Sequence, residues 1–215
     1  LPFVREFARL RCPFFDPAPR EPLLVRRLAR LALRLAWIVS LALALVPRSS
    51  AEVFHSRESA LRLAFPDADR VEPHDMVLTA GEATDVAHRA GVEAGSRLVT
   101  VYEGLRGRES LGWAFLDTHT VRTLPETILL VLQPDGQVQA THLLAFHEPP
   151  EYRPVERWLA RFTGRSLDPD LAVGRDVDGI SGATITARAV TSAVRRLLAV
   201  WEVRLAPTIT AEAMP

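Results

Sequence analysis

The sequence predicts an α+β fold: a twisted antiparallel sheet with helices packed on it, preceded by a signal or anchor helix. Three observations carry that expectation. A strand-rich middle turns back on itself at Pro134-Asp135-Gly136, where proline and glycine supply the backbone angles of a turn. A long stretch near the C-terminal end repeats apolar residues at helical spacing. Near the N-terminus a charge-free apolar run follows a cluster of arginines. With 215 residues and 48% apolar content, the chain is large enough for one globular domain with a small appendage.

The N-terminal part reads as a targeting segment. Arg26, Arg27, Arg30 and Arg34 form a positive region, Leu35–Val46 is an uncharged apolar run, and Pro47 breaks it. Ser49-Ser50-Ala51 then offers the small residues that a signal peptidase reads, so cleavage is expected after Ala51. Twelve residues make only about 18 Å of helix, short of a hydrocarbon core of about 30 Å. An uncleaved anchor over 28–46 is the alternative, and it would bury Arg30 and Arg34. Either way, residues 25–51 place the body in the periplasm or elsewhere outside the cytoplasm. Residues 1–24 lack coherent periodicity and read as a gene-model extension upstream of a start near Leu24 or Val25.

Past the leader, 52–94 reads as a helical region. Ser56 caps a short helix that ends at Phe65-Pro66, and Thr79-Ala80-Gly81-Glu82 has the spacing of a capping box for a helix over 82–90. Candidate strands follow at 97–103, 111–118, 127–133 and 137–146. In the last, Val138, Ala140, His142, Leu144 and Phe146 share one alternating face, expected to be core. His147–Tyr152 is a proline-stiffened loop. Pro154 fits the first turn of a helix through Phe162 that buries Val155, Trp158, Leu159 and Phe162. After a polar connection over 164–178, Thr186 opens the strongest helix, 187–203, with Val190, Ala193, Val194, Leu197, Leu198 and Trp201 as its apolar stripe. Residues 95–203 thus form the main domain and 204–215 a C-terminal tail.

Composition removes several chemistries. All 26 basic residues are arginine, so neither a Schiff-base lysine nor a phosphate-loop lysine exists. The single cysteine, Cys12, lies in the leader, leaving the body without a disulfide, a thiolate nucleophile or a cysteine-based metal site. Residues 1–51 carry nine Arg against three acids, while the chain as a whole is neutral. A basic leader on an acidic body argues for targeting and against nucleic-acid binding, which places the basic surface on the folded part. No Gly-x-Gly-x-x-Gly and no Cys-x-x-Cys-His occurs, which leaves a nicotinamide or haem site without its motif.

The informative segment is Asp178-Gly-Ile-Ser181-Gly182-Ala183-Thr184-Ile-Thr186. It stands just before the strongest helix, where unpaired backbone N–H groups and the positive end of the helix dipole favour an anion. Gly179 and Gly182 allow close backbone approach, and Ser181, Thr184 and Thr186 add hydroxyls. On physical grounds alone this is an anion seat or an ordinary Ser/Thr helix cap.

The same segment resembles the flavinylation motif of the FMN-binding domain family, Asp-x-x-Ser/Thr-Gly-x-Thr/Ser. That family includes peripheral subunits of the sodium-pumping NADH:quinone reductase and of the Rnf complex. The resemblance implies that Thr184 is esterified to the phosphate of FMN by an FAD-dependent, Mg²⁺-requiring flavin transferase, with Asp178 needed by that enzyme. It implies that Ser181, Gly182 and Ala183 frame the phosphate beside Thr186. It extends over about 104–201, where Gly112-Trp113 matches a Gly-aromatic strand and His147-Glu148-x-Pro150 resembles a His-x-Glu-Thr-Pro loop near the flavin ring. The implied function is an exported electron carrier between redox partner proteins, bound to a membrane or near one, in which covalent attachment prevents loss of the cofactor.

For His147 and Glu148 the alternative is an exposed hairpin exit, and for Thr118–Thr123 the choice lies between a pocket rim and a solvated loop. Two other functions are weighed. One is a serine hydrolase using Ser181, with His147 and Asp178 as partners, although Arg-Asp-Val-Asp-Gly before the serine is a poor strand for a nucleophile elbow. The other is a sensory or scaffold domain that keeps the fold without flavin.

Overall fold

The computed structural model describes residue 34, residues 52–53 and residues 55–207. Apart from residue 34, the leader over 25–51 lies outside the described residues, as do the extension over 1–24 and the tail beyond 207. Among the described residues no helix is long and apolar enough to cross a membrane.

The body is built on one antiparallel sheet in the order β1-β6-β5-β4-β3-β2. Its strands are β1 (Glu52–Val53), β2 (Arg70–Val77), β3 (Leu98–Arg106), β4 (Glu109–Thr120), β5 (Pro125–Leu132) and β6 (Val138–Phe146). The helices are α1 (Arg57–Ala64), α2 (Ala80–Ala90), the single turn α3 (Glu156–Leu159) and α4 (Thr184–Val200). Antiparallel sheet with helices on it is the α+β class expected from the sequence.

Local chemistry fixes the ends of these elements. Ser56 caps α1, its Oγ accepting from the Ser59 N–H. Thr79 and Glu82 close a full capping box on α2, which ends at Gly91 in the left-handed conformation. The Gly136 N–H donates to the Gln133 carbonyl, closing the β5–β6 turn at Pro134-Asp135-Gly136. The stretch read as helical, 52–94, also contains β2. This edge strand carries Pro73 and alternates exposed and half-buried residues, so it has neither a buried run nor a clean apolar face.

Both faces of the sheet are covered. On one, Val101, Phe115, Ile128, Leu130 and Leu132 meet Val86 of α2 and Val190, Val194 and Leu198 of α4. Trp158, Leu159 and Phe162 complete that core. On the other face a smaller cluster joins Tyr102, Ala114, Leu129, Val131 and Leu144 to Ala60, Ala64 and Phe65. The Phe65 ring packs against Gly104, where any Cβ would collide with it.

Two bulges overturn the one-face reading of β6. Leu132 pairs with Val138 but Val131 pairs with Ala140, so Gln139 is an extra residue, and Leu144 is another between Leu143 and Ala145. Each insertion swaps the alternation. Val138 therefore enters the larger core, whereas Ala140 and Leu144 enter the smaller one. Val155 departs from expectation as well: it precedes α3 as its N-cap and is 48% exposed. Helix α4 starts at Thr184, two residues earlier than read. It runs into a π-helical turn over Trp201–Leu205 whose last residue is buried, so the tail begins beyond that point.

Candidate functional site

Helix α4 is the longest in the body, and its buried stripe locks it between the sheet and α2. Its first turn is left chemically open. The N-cap is Ala183, no side chain caps the helix, and the first turn holds no acid. The leading N–H groups of a helix have no acceptor within it, and here nothing in the sequence supplies one by capping. The Ser/Thr cap considered from the sequence is therefore not what these hydroxyls form. Thr184 is the first helical residue and is exposed, whereas Thr186 is 1% exposed. Gly182, with φ of 77°, bends the chain into this start, a conformation that favours glycine.

A pocket of about 240 Å³ opens at this helix start. One wall is Gly182–Thr186, a second is Val121 and Arg122 from the β4–β5 connection, and a third is Glu148 and Tyr152 from the loop after β6. The Arg122 guanidinium lies 5.6 Å over the Tyr152 ring, which places a cation beside the open helix end.

Glu148 holds the second wall in place. Its Oε1 accepts from the backbone N–H groups of Arg122 (3.1 Å), Thr123 (2.7 Å) and Leu124 (2.9 Å). These bonds, led by that from Thr123, hold the Glu148 carboxyl below the usual carboxylate range. The Glu148 side chain is buried, not an exposed hairpin exit, and its hydrogen bonds make it a positioning residue for the pocket loop.

Of the residues singled out from the sequence, the structure brings Gly182, Ala183, Thr184, Thr186 and Glu148 to this pocket. Four others do not line it. Ser181 is exposed in the turn just ahead. Asp178 lies outside with a largely exposed side chain, 2.7 Å from Arg161, while its carbonyl accepts from the Trp158 indole at 2.7 Å. His147 turns its Nδ1 toward the Pro125 carbonyl at 3.0 Å. Trp113 is buried in the larger core opposite Leu132, at the far end of the β4–β5 ladder from Thr120 and Pro125. Its parity on β4 points it inward, which a Gly-aromatic pair alone does not reveal. Ser181 follows irregular chain, so the strand that a nucleophile elbow requires is missing.

Four pocket residues escaped the sequence reading as ligand-facing groups: Val121, Arg122, Tyr152 and Ile185. Arg122 lay in a segment read as rim or solvated loop, and the rim is where the structure puts it. Thr118–Thr120, by contrast, extend β4. Tyr152 was signalled by Pro149-Pro150, which set a 3-10 turn that carries its ring to the pocket.

Sheet, helix and pocket define a domain whose open helix start, backed by an arginine, suits an anionic group. Residues 125–199, from the first residue of β5 into the last turn of α4, match the model of the FMN-binding domain family. Over 140 residues the chain is 26% identical to a component of the Na(+)-translocating ferredoxin:NAD(+) oxidoreductase complex of Acetobacterium woodii, covering 57% of this chain and 65% of that one. Over 110 residues it is 31% identical to the regulatory protein NosR of Pseudomonas aeruginosa, covering 42% of this chain and 15% of that one. The chain thus spans less than two thirds of the length of either relative.

Proposed function

We propose that the chain is an exported electron-transfer flavoprotein carrying FMN through a phosphoester on Thr184. The observation that carries this reading is Thr184 itself, an exposed hydroxyl at the first position of an uncapped helix, inside a pocket. The residues present fit the phosphate end of FMN. Backbone N–H groups at the α4 start and the Arg122 cation favour its charge, and Gly182 leaves room beside it. When bound, FMN supplies one- and two-electron redox chemistry. The protein's part is to fix the cofactor, shield one side of it with Tyr152 and Ile185, and set the local charge. Asp178, exposed outside the pocket, is open to a flavin transferase, on which the Thr184 hydroxyl would lose its proton and take the FMN phosphoryl group from FAD as the bond to the departing AMP breaks.

Partners of two kinds follow: the transferase during maturation, and redox proteins that give and take electrons. The second is supported by the likeness to a component of an oxidoreductase complex. Export rests on the leader sequence alone.

The test is the intact mass of the protein coexpressed with a flavin transferase, beside Thr184→Ala. Wild type is expected to gain about 0.44 kDa, the mass of FMN less water, and the variant nothing. An unmodified wild type, with the transferase active on a control substrate, would leave a flavin-free sensory or scaffold domain as the better reading.

A further inference from the structure

Beside the pocket, on the face of the sheet that α4 covers, lies a group of charged side chains that phosphate binding does not use. His119 of β4 stands between two carboxylates, its Nδ1 2.8 Å from Asp117 and its Nε2 2.7 Å from Glu126. Arg196 of α4 holds the other oxygen of Asp117 at 2.7 Å. Glu126 is fully buried, and its Oε2 has no hydrogen-bond partner. An unpaired oxygen on a buried carboxylate is costly, and a proton on it is the simplest relief.

The chain of groups has two ends. Asp117, His119 and Arg196 line a second pocket of about 250 Å³, together with Ser96 and Thr100. At the other end Glu126 feels the negative charge of Glu148, which lines the candidate flavin pocket. Glu148 in turn feels Arg122. His147 completes the surroundings, bonded to the carbonyl of Pro125 next to Glu126. The charged groups around the imidazole are thus Asp117 from its own strand, Glu126 from β5 and Arg196 from α4, with Glu148 and Arg122 beyond.

We propose that Asp117, His119 and Glu126 form a proton relay leading inward from the second pocket, which loads one proton onto the buried Glu126 when negative charge is added at the flavin pocket. This rests on the flavin reading for its physiological trigger, though not for its existence. The step balances simply. The His119 imidazolium gives its Nε2 proton to Glu126, forming the O–H bond of a neutral acid. His119 then regains a proton from water in the second pocket, guided by Asp117. The net change is one proton taken from solvent per negative charge gained, with the electron delivered by a protein donor.

Burial pushes the Glu126 carboxyl up, in keeping with a group that accepts a proton. Burial alone would lower His119, but hydrogen bonds to Asp117 and Glu126 outweigh it and raise it to about 9. Asp117, which burial alone would raise, is kept low by His119 and Arg196 and stays a fixed anion. The relay therefore has one permanent anion, one carrier and one acceptor.

Two arms test it. In flavin-free protein, the His119 imidazole is titrated by NMR in wild type, Glu148→Gln and Arg122→Gln. Removing the pocket anion is expected to shift the midpoint to lower pH, and removing the pocket cation to higher pH. An unchanged midpoint in both variants would overturn the proposal. In protein shown by mass to carry FMN, proton uptake on full reduction is measured with an indicator dye. Wild type is expected to take up one proton more than Glu126→Gln, and equal uptake would also overturn it. A protein that never loads FMN sinks the flavin reading, while the first arm still decides the relay.

Discussion

Glu148 shows how a single side chain makes a pocket. Its one oxygen collects three backbone N–H groups of the loop that brings Val121 and Arg122 to α4. Glu148→Ala would leave those donors without their partner, at a cost of about 1–3 kcal/mol in urea unfolding, and would loosen Arg122. Glu148→Gln keeps an acceptor and is expected to lose less. Because the carboxyl is held low in the fold, its contribution is present above the unfolded value and disappears as pH falls through the folded one. In the sequence Glu148 was visible as a motif residue, yet its partners were not. Three main-chain donors from a loop some two dozen residues earlier carry no side-chain signature. Thr184 was legible because its neighbours make a fixed pattern just ahead of a strong helix.

At the scale of elements, the local signals were readable and the non-local ones were not. The capping box at Thr79–Glu82 and the turn at Asp135-Gly136 depend on neighbouring residues and stand in the structure as the sequence implies. The bulges at Gln139 and Leu144 depend on pairing with β5, so alternation along β6 alone placed its side chains wrongly. The same limit hid the β4–β5 ion pair. His119 and Glu126 are seven residues apart and meet only because the hairpin sets them opposite each other. The raised proton affinity of His119 makes that hairpin sensitive to base. Its stabilisation is complete below the unfolded value near 6.5 and is lost as pH rises through about 9. Urea midpoints are expected to fall across that window in wild type and to stay nearly level in His119→Gln.

For the molecule as a whole, the family match covers β5, β6 and most of α4, while β1, β2, β3 and β4 complete the sheet ahead of it. Arg122, and with it one wall of the pocket, therefore comes from outside the matched segment. The charge-free run over 35–46 and the small residues at 49–51 carry the prediction of export. Fusing alkaline phosphatase after Ser56, within the folded body, is expected to give an enzyme that is active in the oxidising exterior. An inactive, cytoplasmic fusion would refute the leader reading.

The position of Thr184 has a consequence for traffic between proteins. It sits at the first residue of a helix whose body is packed between sheet and α2. A group bonded there is a fixed post and not a swinging arm. On the proposed flavin reading, such a group would not travel from a donor to an acceptor on its own, so the two would have to dock by turns at the same open face, or the domain itself would have to shuttle between them.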